Sequence, residues 1–430
     1  AVKLAKALGA IPFVSDSGSK EKLEKSIALF DIENIAYEIN SHTEKVFDCD
    51  FIITSPGVPT NSEILNRAIQ KGIKIYSEVE FASWFCKGSI VAITGTNGKT
   101  TTTALLEHSL NNCGIKCYSA GNIGEPLSNI VLSVKEDEYI SLETSSFQID
   151  FMESFKPKIS IILNITPDHL DRYNNNFAEY AAAKIKITNK QDEQDYFIYN
   201  ADDSNTYKTI MNEKVKMLGF SIKSEIINGS FAQNGKMFSV KDGKVEEVCS
   251  TNDLFIRGEH NIANALAVIA VSKILELPNK KIKEAFNSFK GVEHRIEFVK
   301  EINGVEYYND SKGTNVDSVW YALRSFDKPI YLILGGKDKG NNYDQIKELV
   351  LEKVKKIYAI GSSANKVYDY FNSIVSTEYK QTLEGCVETA RKEAKAGSVV
   401  LLSPACASFD MFDNYEHRGK VFKDAVNKLN

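Results

Sequence analysis

The clearest chemical signal in the chain is the run SIVAITGTNGKTTTTALLEHSL, residues 89–110. An apolar strand enters a glycine-containing loop, Gly95, Thr96, Asn97 and Gly98, and then a helix that opens with Lys99, Thr100 and Thr101. A loop of this kind aims backbone N–H groups and the positive end of the helix at phosphate oxygens, with Lys99 at the outer phosphates and the Thr100 hydroxyl at Mg²⁺. The spacing is not that of GxxxxGK[ST], because Ile93 stands where the first glycine would be. The loop is a GTxGKT variant. A GKT after an apolar run can also be a plain helix cap, but four threonines after Lys99 favour a nucleotide, and ATP is the expected ligand.

Other residues have the types needed to work beside such a loop. Glu143 ends the expected strand YISLET (139–144), and His169 follows ISIILNIT (159–166). A carboxylate and a neutral imidazole at the carboxyl ends of parallel strands suit Mg²⁺ bridging nucleotide and substrate oxygens. Taken alone, His169 reads as a surface or helix-capping residue. In FAEYAAAKIKIT (177–188), Phe177, Ala181, Lys184 and Thr188 share one helical face, which puts a cation among small and apolar neighbours. The plain readings of Lys184 are a snorkelling stem or a lowered pKa. In GEHNIANALAVIA (258–270), Asn261 and Asn264 lie three residues apart on one face, as paired amides reading an adenine edge would, although Asn261 alone would be an N-cap. Lys339 follows the strand PIYLILGG, and Ser408 opens a helix. A lysine and a serine so placed make a carboxylate pocket, or else a solvated loop.

In order and spacing, TGTNGKTT (94–101), GNIG (121–124), ETSSFQ (143–148), NITPDHLDRY (164–173), Lys184, GEHN (258–261), EHR (293–295) and NDSKGTN (309–315) resemble the Mur ligase family. That family includes folylpolyglutamate synthetase, and the resemblance covers nearly the whole chain. It implies an ATP-dependent ligase that activates a carboxylate as an acyl phosphate and couples it to an amino acid. It also implies a catalytic set of Lys99, Glu143, His169, Lys184 and Arg295, with two Mg²⁺ ions. Thr100 and Glu143 would hold one, His169 would help hold the second, and Lys184 would carry a CO₂-derived carbamate that turns a cation into an anionic metal ligand. Asn261 and Asn264 match adenine-binding positions, and Arg295 and Asp310 match contacts to the phosphate and ribose. Lys312 lies in the same signature, or is a solvated loop charge.

The segment SPACASFDMFDNYEHRG (403–419) resembles the branch that adds D-glutamate better than those adding alanine, diamino acids or dipeptides. By that resemblance the substrates are UDP-N-acetylmuramoyl-L-alanine and D-glutamate, the latter held by Lys339, Thr314, Ser408 and the backbone around Phe409 and Tyr415. Asp16 and Ser17, with Ser55, Pro56 and Gly57, match the uridine diphosphate contacts, while Asn122 and Ser145 match the muramoyl-alanyl part. Ser15 to Gly18 lacks the arginine often found there. Two rivals are a sister ligase that extends folate with glutamate and a nucleotide-binding module without ligation chemistry. The second has no use for Glu143, His169 and Lys184 together.

Strands and helices alternate nearly throughout, so parallel sheets covered by helices must position these groups. The expected strands are residues 50–56, 89–95, 139–144, 159–166, 196–200, 329–336, 356–361 and 398–404. Residues 217–257 break the pattern and read as antiparallel hairpins turning at Asn234-Gly235 and Asp242-Gly243. The expected fold is α/β with three domains: residues 1–88 for the UDP substrate, 89–291 as a central P-loop parallel-sheet ATPase domain with a small antiparallel add-on, and 292–430 for the amino acid, the outer two Rossmann-like. A nucleotide-type βαβ unit would want a strand and Gly-rich turn before residue 1, and neither is in this chain.

Acidic residues number 57 against 52 Lys and Arg, a net charge of -5 that leaves no basic surface for nucleic acid. Seven cysteines without a CxxC pair read as reduced thiols. The opening AVKLAKALGA has no signal-peptide core, and no run is long enough to span a bilayer. A cytoplasmic monomer without membrane partners is expected.

Overall fold

The computed structural model describes residues 1–122, 124–168, 170–208 and 214–429. They form two compact units, residues 1–254 with 263–288, and residues 255–262 with 289–430. The architecture is α/β.

In the first unit, β1 (Phe13–Ser15) pairs in parallel with β2 (Ala36–Glu38), and β3 (Phe51–Thr54) with β4 (Lys74–Ser77), giving two separate two-stranded sheets. The remaining strands are β5 (Ser89–Thr94), β6 (Cys117–Gly121), β7 (Tyr139–Glu143), β8 (Ile159–Ile162), β9 (Tyr196–Asn200), β10 (Lys216–Ser221), β11 (Gly229–Gln233), β12 (Lys236–Lys241) and β13 (Lys244–Ser250). They build one nine-stranded sheet in the order β13-β12-β11-β10-β9-β8-β5-β7-β6. The strands from β6 across to β11 run parallel, and β12 and β13 extend the same sheet antiparallel. Helices cover both faces of the parallel part, which is why β8 reads ISII and is buried at every residue. Helix Lys99–Asn112 seats Leu105, Leu106 and Leu110 against this core. At the other end, Asn234-Gly235 and Asp242-Gly243 take the positive φ that a two-residue hairpin turn requires. Lys244 to Glu247 at the open edge are exposed, and their charges oppose further strand pairing.

In the second unit, β14 (Glu297–Ile302), β15 (Val305–Asn309), β16 (Ile330–Gly335), β17 (Val354–Ile360), β18 (Thr377–Tyr379) and β19 (Val399–Leu402) order as β14-β15-β19-β16-β17-β18. Only the β14–β15 hairpin is antiparallel. Strands β16 and β19 are buried throughout. Because β19 lies between β15 and β16, the loops leaving all three open on one edge of the sheet.

Candidate active site

The phosphate loop leaves the carboxyl end of β5. Strand β7 pairs beside it with Ile93 opposite Glu143, which brings that carboxylate to the same edge. The segment after β8 closes around the loop from the other side. Thr96 N–H donates to the Asn164 carbonyl at 2.9 Å, Asn97 N–H to Asn164 Oδ1 at 2.8 Å, and Asn164 Nδ2 back to the Asn97 carbonyl at 3.0 Å. The Thr96 hydroxyl donates to the Thr166 carbonyl at 2.9 Å and accepts from Thr166 N–H at 3.0 Å. Gly95 and Gly98 have φ of +148° and +88°. A Cβ on Gly98 would sit 2.5 Å from Asn264 Oδ1, so glycine is required by both backbone and space, and Asn264 is placed against the loop. Asn164 and Thr166 were not singled out in the sequence. The signal was there, since a polar Asn and Thr directly after a buried strand must satisfy something nearby.

Lys99 Nζ donates to the carbonyls of Gly95 at 2.9 Å and Thr96 at 2.8 Å. Lys184 Nζ donates to the same Gly95 oxygen at 3.0 Å and lies 4.6 Å from the Tyr180 ring centroid. Lys184 is 2% exposed. Burial holds its pKa well below the usual lysine range, Lys99 pushes it further down, and Asp168, Asp150 and Glu143 pull the other way. That environment disfavours the ammonium form of Lys184. Glu143 is 1% exposed; its Oε1 accepts from Asn122 Nδ2 at 3.2 Å, and its Oε2 finds no hydrogen-bond partner among the described residues. A buried carboxylate oxygen left open beside a phosphate loop has the character of a cation ligand, so the donor set fits magnesium. A carbamate also fits, since an anion on Lys184 would be paired with the neighbouring Lys99 ammonium, which disfavours a second cation there. Thr100 and Thr101 occupy the first turn of helix Lys99–Asn112. His169 lies outside the described residues.

Ser145 caps the helix Ser146–Ile149 in a capping box with Gln148, so its hydroxyl already has a local role. Asp16 and Ser17 are exposed after β1, and Asp16 Oδ1 accepts from Gly18 N–H at 2.7 Å. Ser55, Pro56 and Gly57 form a turn after β3, closed by Val58 N–H on the Ser55 carbonyl at 3.0 Å.

In the second unit, Asn261 donates through Nδ2 to the Arg257 carbonyl at 2.7 Å. Asp310 follows β15 and is 1% exposed. Burial raises its pKa to about 6 against the opposing pull of Arg295 and a 2.7 Å bond from the Ser403 hydroxyl. Arg295 keeps a buried Nε without a partner among the described residues. Burial and the Arg295 and Arg324 charges lower the His260 pKa to about 3.

Lys312 and Thr314 leave β15, Lys339 leaves β16, and Ser408 and Phe409 leave β19, all at the shared sheet edge. Lys339 and Phe409 are exposed and Ser408 is buried. Tyr415 begins the helix Tyr415–Asn427, and its carbonyl accepts from the Ser311 hydroxyl at 2.8 Å. Arg418, not among the expected site residues, ties these loops together. Buried at 2% exposure, it donates to Ser311 Oγ at 2.9 Å and to the carbonyls of Ser311 at 2.7 Å and Cys406 at 3.1 Å. Elsewhere Glu293, His294 and Glu297 have metal-ligand spacing, but Lys423 pairs with both glutamates at 2.7 and 2.6 Å and already supplies the cation.

Three family models match the chain: a MurD N-terminal domain over residues 4–64, a Mur ligase middle domain over 93–272, and a Mur ligase glutamate ligase domain over 294–406. The UDP-N-acetylmuramoylalanine--D-glutamate ligase of Christiangramia forsetii is 44% identical over 99% of this chain and 96% of its own length. The ligase of the same name from Salinibacter ruber is 40% identical over 100% of the chain and 95% of its own. The chain belongs to the Mur ligase family.

Solved structures carry the fold of this Mur ligase at much lower identity. UDP-N-acetylmuramate-alanine ligase from Thermotoga maritima superimposes with a TM-score of 0.63 at 19% identity, covering 99% of this chain and 95% of its own. The MurF ligase of the same organism, in complex with ADP, gives 0.61 at 17% identity over 96% and 94%. Among the described residues no helix is long and apolar enough to cross a membrane, and all seven cysteines are free thiols.

Proposed function

We propose that this Mur ligase joins D-glutamate to UDP-N-acetylmuramoyl-L-alanine with consumption of ATP, forming an amide, ADP and phosphate in the cytoplasmic assembly of peptidoglycan precursors. The observation that carries the chemistry is the meeting of Lys99 and Lys184 on one carbonyl oxygen, that of Gly95. Full-length similarity to ligases of that name supports the substrates.

In this reading the loop N–H groups and Lys99 receive the ATP phosphates. The open oxygen of Glu143, with Thr100, His169 and a carbamate on Lys184, would hold two magnesium ions. Magnesium supplies charge neutralisation at the phosphate oxygens. With Asn122 and Ser145 lying along the muramoyl-alanyl part, the L-alanyl carboxylate attacks the γ-phosphorus as the bond to ADP breaks, giving an acyl phosphate. The D-glutamate amine then attacks the carbonyl carbon and loses a proton, and phosphate departs. Lys339, Thr314, Ser408 and the backbone near Phe409 and Tyr415 hold D-glutamate. Asn261, Asn264, Arg295 and Asp310 hold the nucleotide, and Asp16, Ser17 and Ser55 to Gly57 the uridine diphosphate.

Phosphate release is measured with ATP, Mg²⁺, UDP-N-acetylmuramoyl-L-alanine and a panel of amino acids. D-glutamate alone should stimulate it. Stimulation by L-glutamate or a diamino acid in its place would overturn the substrate assignment.

A further inference from the structure

The turn Ser55 to Gly57 is held by a side chain far along the sequence. Arg172 donates from Nη1 to the Pro56 carbonyl at 3.0 Å and from Nη2 to the Gly57 carbonyl at 3.4 Å. Its guanidinium lies over the Phe147 ring, 4.2 Å from the centroid, and Phe147 stacks on Tyr173 with centroids 6.2 Å apart and planes 16° from parallel. Tyr173 is itself fixed, its hydroxyl donating to Asp150 Oδ2 at 2.9 Å, while Lys186 pairs with the other oxygen of Asp150 at 2.8 Å. The guanidinium is thus packed against a fixed aromatic pair, and its fork takes two carbonyls. A lysine ammonium has neither the planar face nor the fork.

The orientation of those carbonyls decides what the turn can offer a ligand. All peptides in this region are trans, so each C=O points opposite to the N–H of the next residue. Drawing the Pro56 and Gly57 oxygens to Arg172 turns the N–H groups of Gly57 and Val58 the other way. Val58 N–H is taken by the Ser55 carbonyl. The Gly57 N–H remains, on an exposed residue without a Cβ, open to an anion.

We infer that Arg172 is a positioning residue for the diphosphate of the UDP substrate: by holding the carbonyls of Pro56 and Gly57 it presents the Gly57 N–H to a phosphate oxygen. The inference rests on the proposed assignment of this turn to uridine diphosphate.

The test is calorimetric binding of UDP-N-acetylmuramoyl-L-alanine, of UDP and of ADP to the parent, Arg172→Ala and Arg172→Lys. Loss of the hydrogen-bond pair that orients a donor to a charged group should raise the Kd of both uridine compounds roughly tenfold to a hundredfold. Lysine should recover only part of this, and the Kd for ADP should stay at the parent value. Unchanged uridine-compound affinity in Arg172→Ala, full recovery with lysine, or an equal rise for ADP would each overturn the inference. A parent that binds the UDP substrate but does not ligate D-glutamate would overturn the proposed function alone. A parent that binds neither uridine compound would overturn both.

Discussion

In the proposed mechanism the chemistry turns on Lys184, and its environment yields sharp expectations. Lys184→Ala should abolish turnover, Lys184→Arg should not restore it, and added short carboxylates should rescue the alanine variant in part. Near-normal activity of Lys184→Ala without rescue would contradict the carbamate. Asp310 gives a second test through pH. Its folded pKa of about 6 lies above its ordinary 3.8, so between those values the folded state holds a proton that the unfolded state has lost. Stability then falls as pH rises through that window, by up to about 3 kcal/mol. Asp310→Asn removes the titration, so its stability relative to the parent should climb between pH 4 and 6 and level off above, as read by denaturant melts at each pH. Lys184 was legible because a cation on an apolar helical face is an anomaly that periodicity exposes. Arg418 was not. Its sequence neighbours are polar, and nothing in a string of residues says that the carbonyls of Ser311 and Cys406, about a hundred and a dozen positions away, converge on it.

At the scale of elements, the loops depend on a few glycines. Gly98→Ala must place a Cβ at positive φ and 2.5 Å from Asn264 Oδ1, so the Kd for ATP should rise at least tenfold with little change in circular dichroism. Gly235→Ala is the contrasting case. It should cost about 1 kcal/mol of stability, because φ is +73° in the hairpin turn, and leave kcat unchanged. Loss of ligation in Gly235→Ala, measured at a temperature where the variant stays folded, would show that the hairpins do more than close the sheet. The two hairpin turns and the apolar strands β5, β8, β16 and β19 were readable directly, through turn chemistry and continuous burial. Strand β6, CYSAG, was not, because only its pairing with β7 makes it a strand. Strands β14 and β15 were missed for a related reason: Glu297, Lys300, Glu301 and Glu306 interrupt the apolar pattern at the sheet's antiparallel edge.

For the molecule as a whole, the order of motifs along the chain carried more than any one of them. The α/β class and the phosphate loop at a strand's carboxyl end follow from alternation and local spacing, whereas the neighbourhood of Glu143 and Lys184 required the strand order β8-β5-β7, which a sequence does not state. The sequence suggests seams near 88 and 291; the folded chain groups residues 1–254 with 263–288 and residues 255–262 with 289–430. The acyl phosphate is tested most directly by following the oxygen atoms of the reaction. With the L-alanyl carboxylate of the UDP substrate labelled with heavy oxygen, attack on ATP and displacement by the amine must move one labelled oxygen per turnover into the released phosphate. Singly labelled phosphate should appear in step with amide formation; unlabelled phosphate accompanying the amide would rule out an acyl phosphate.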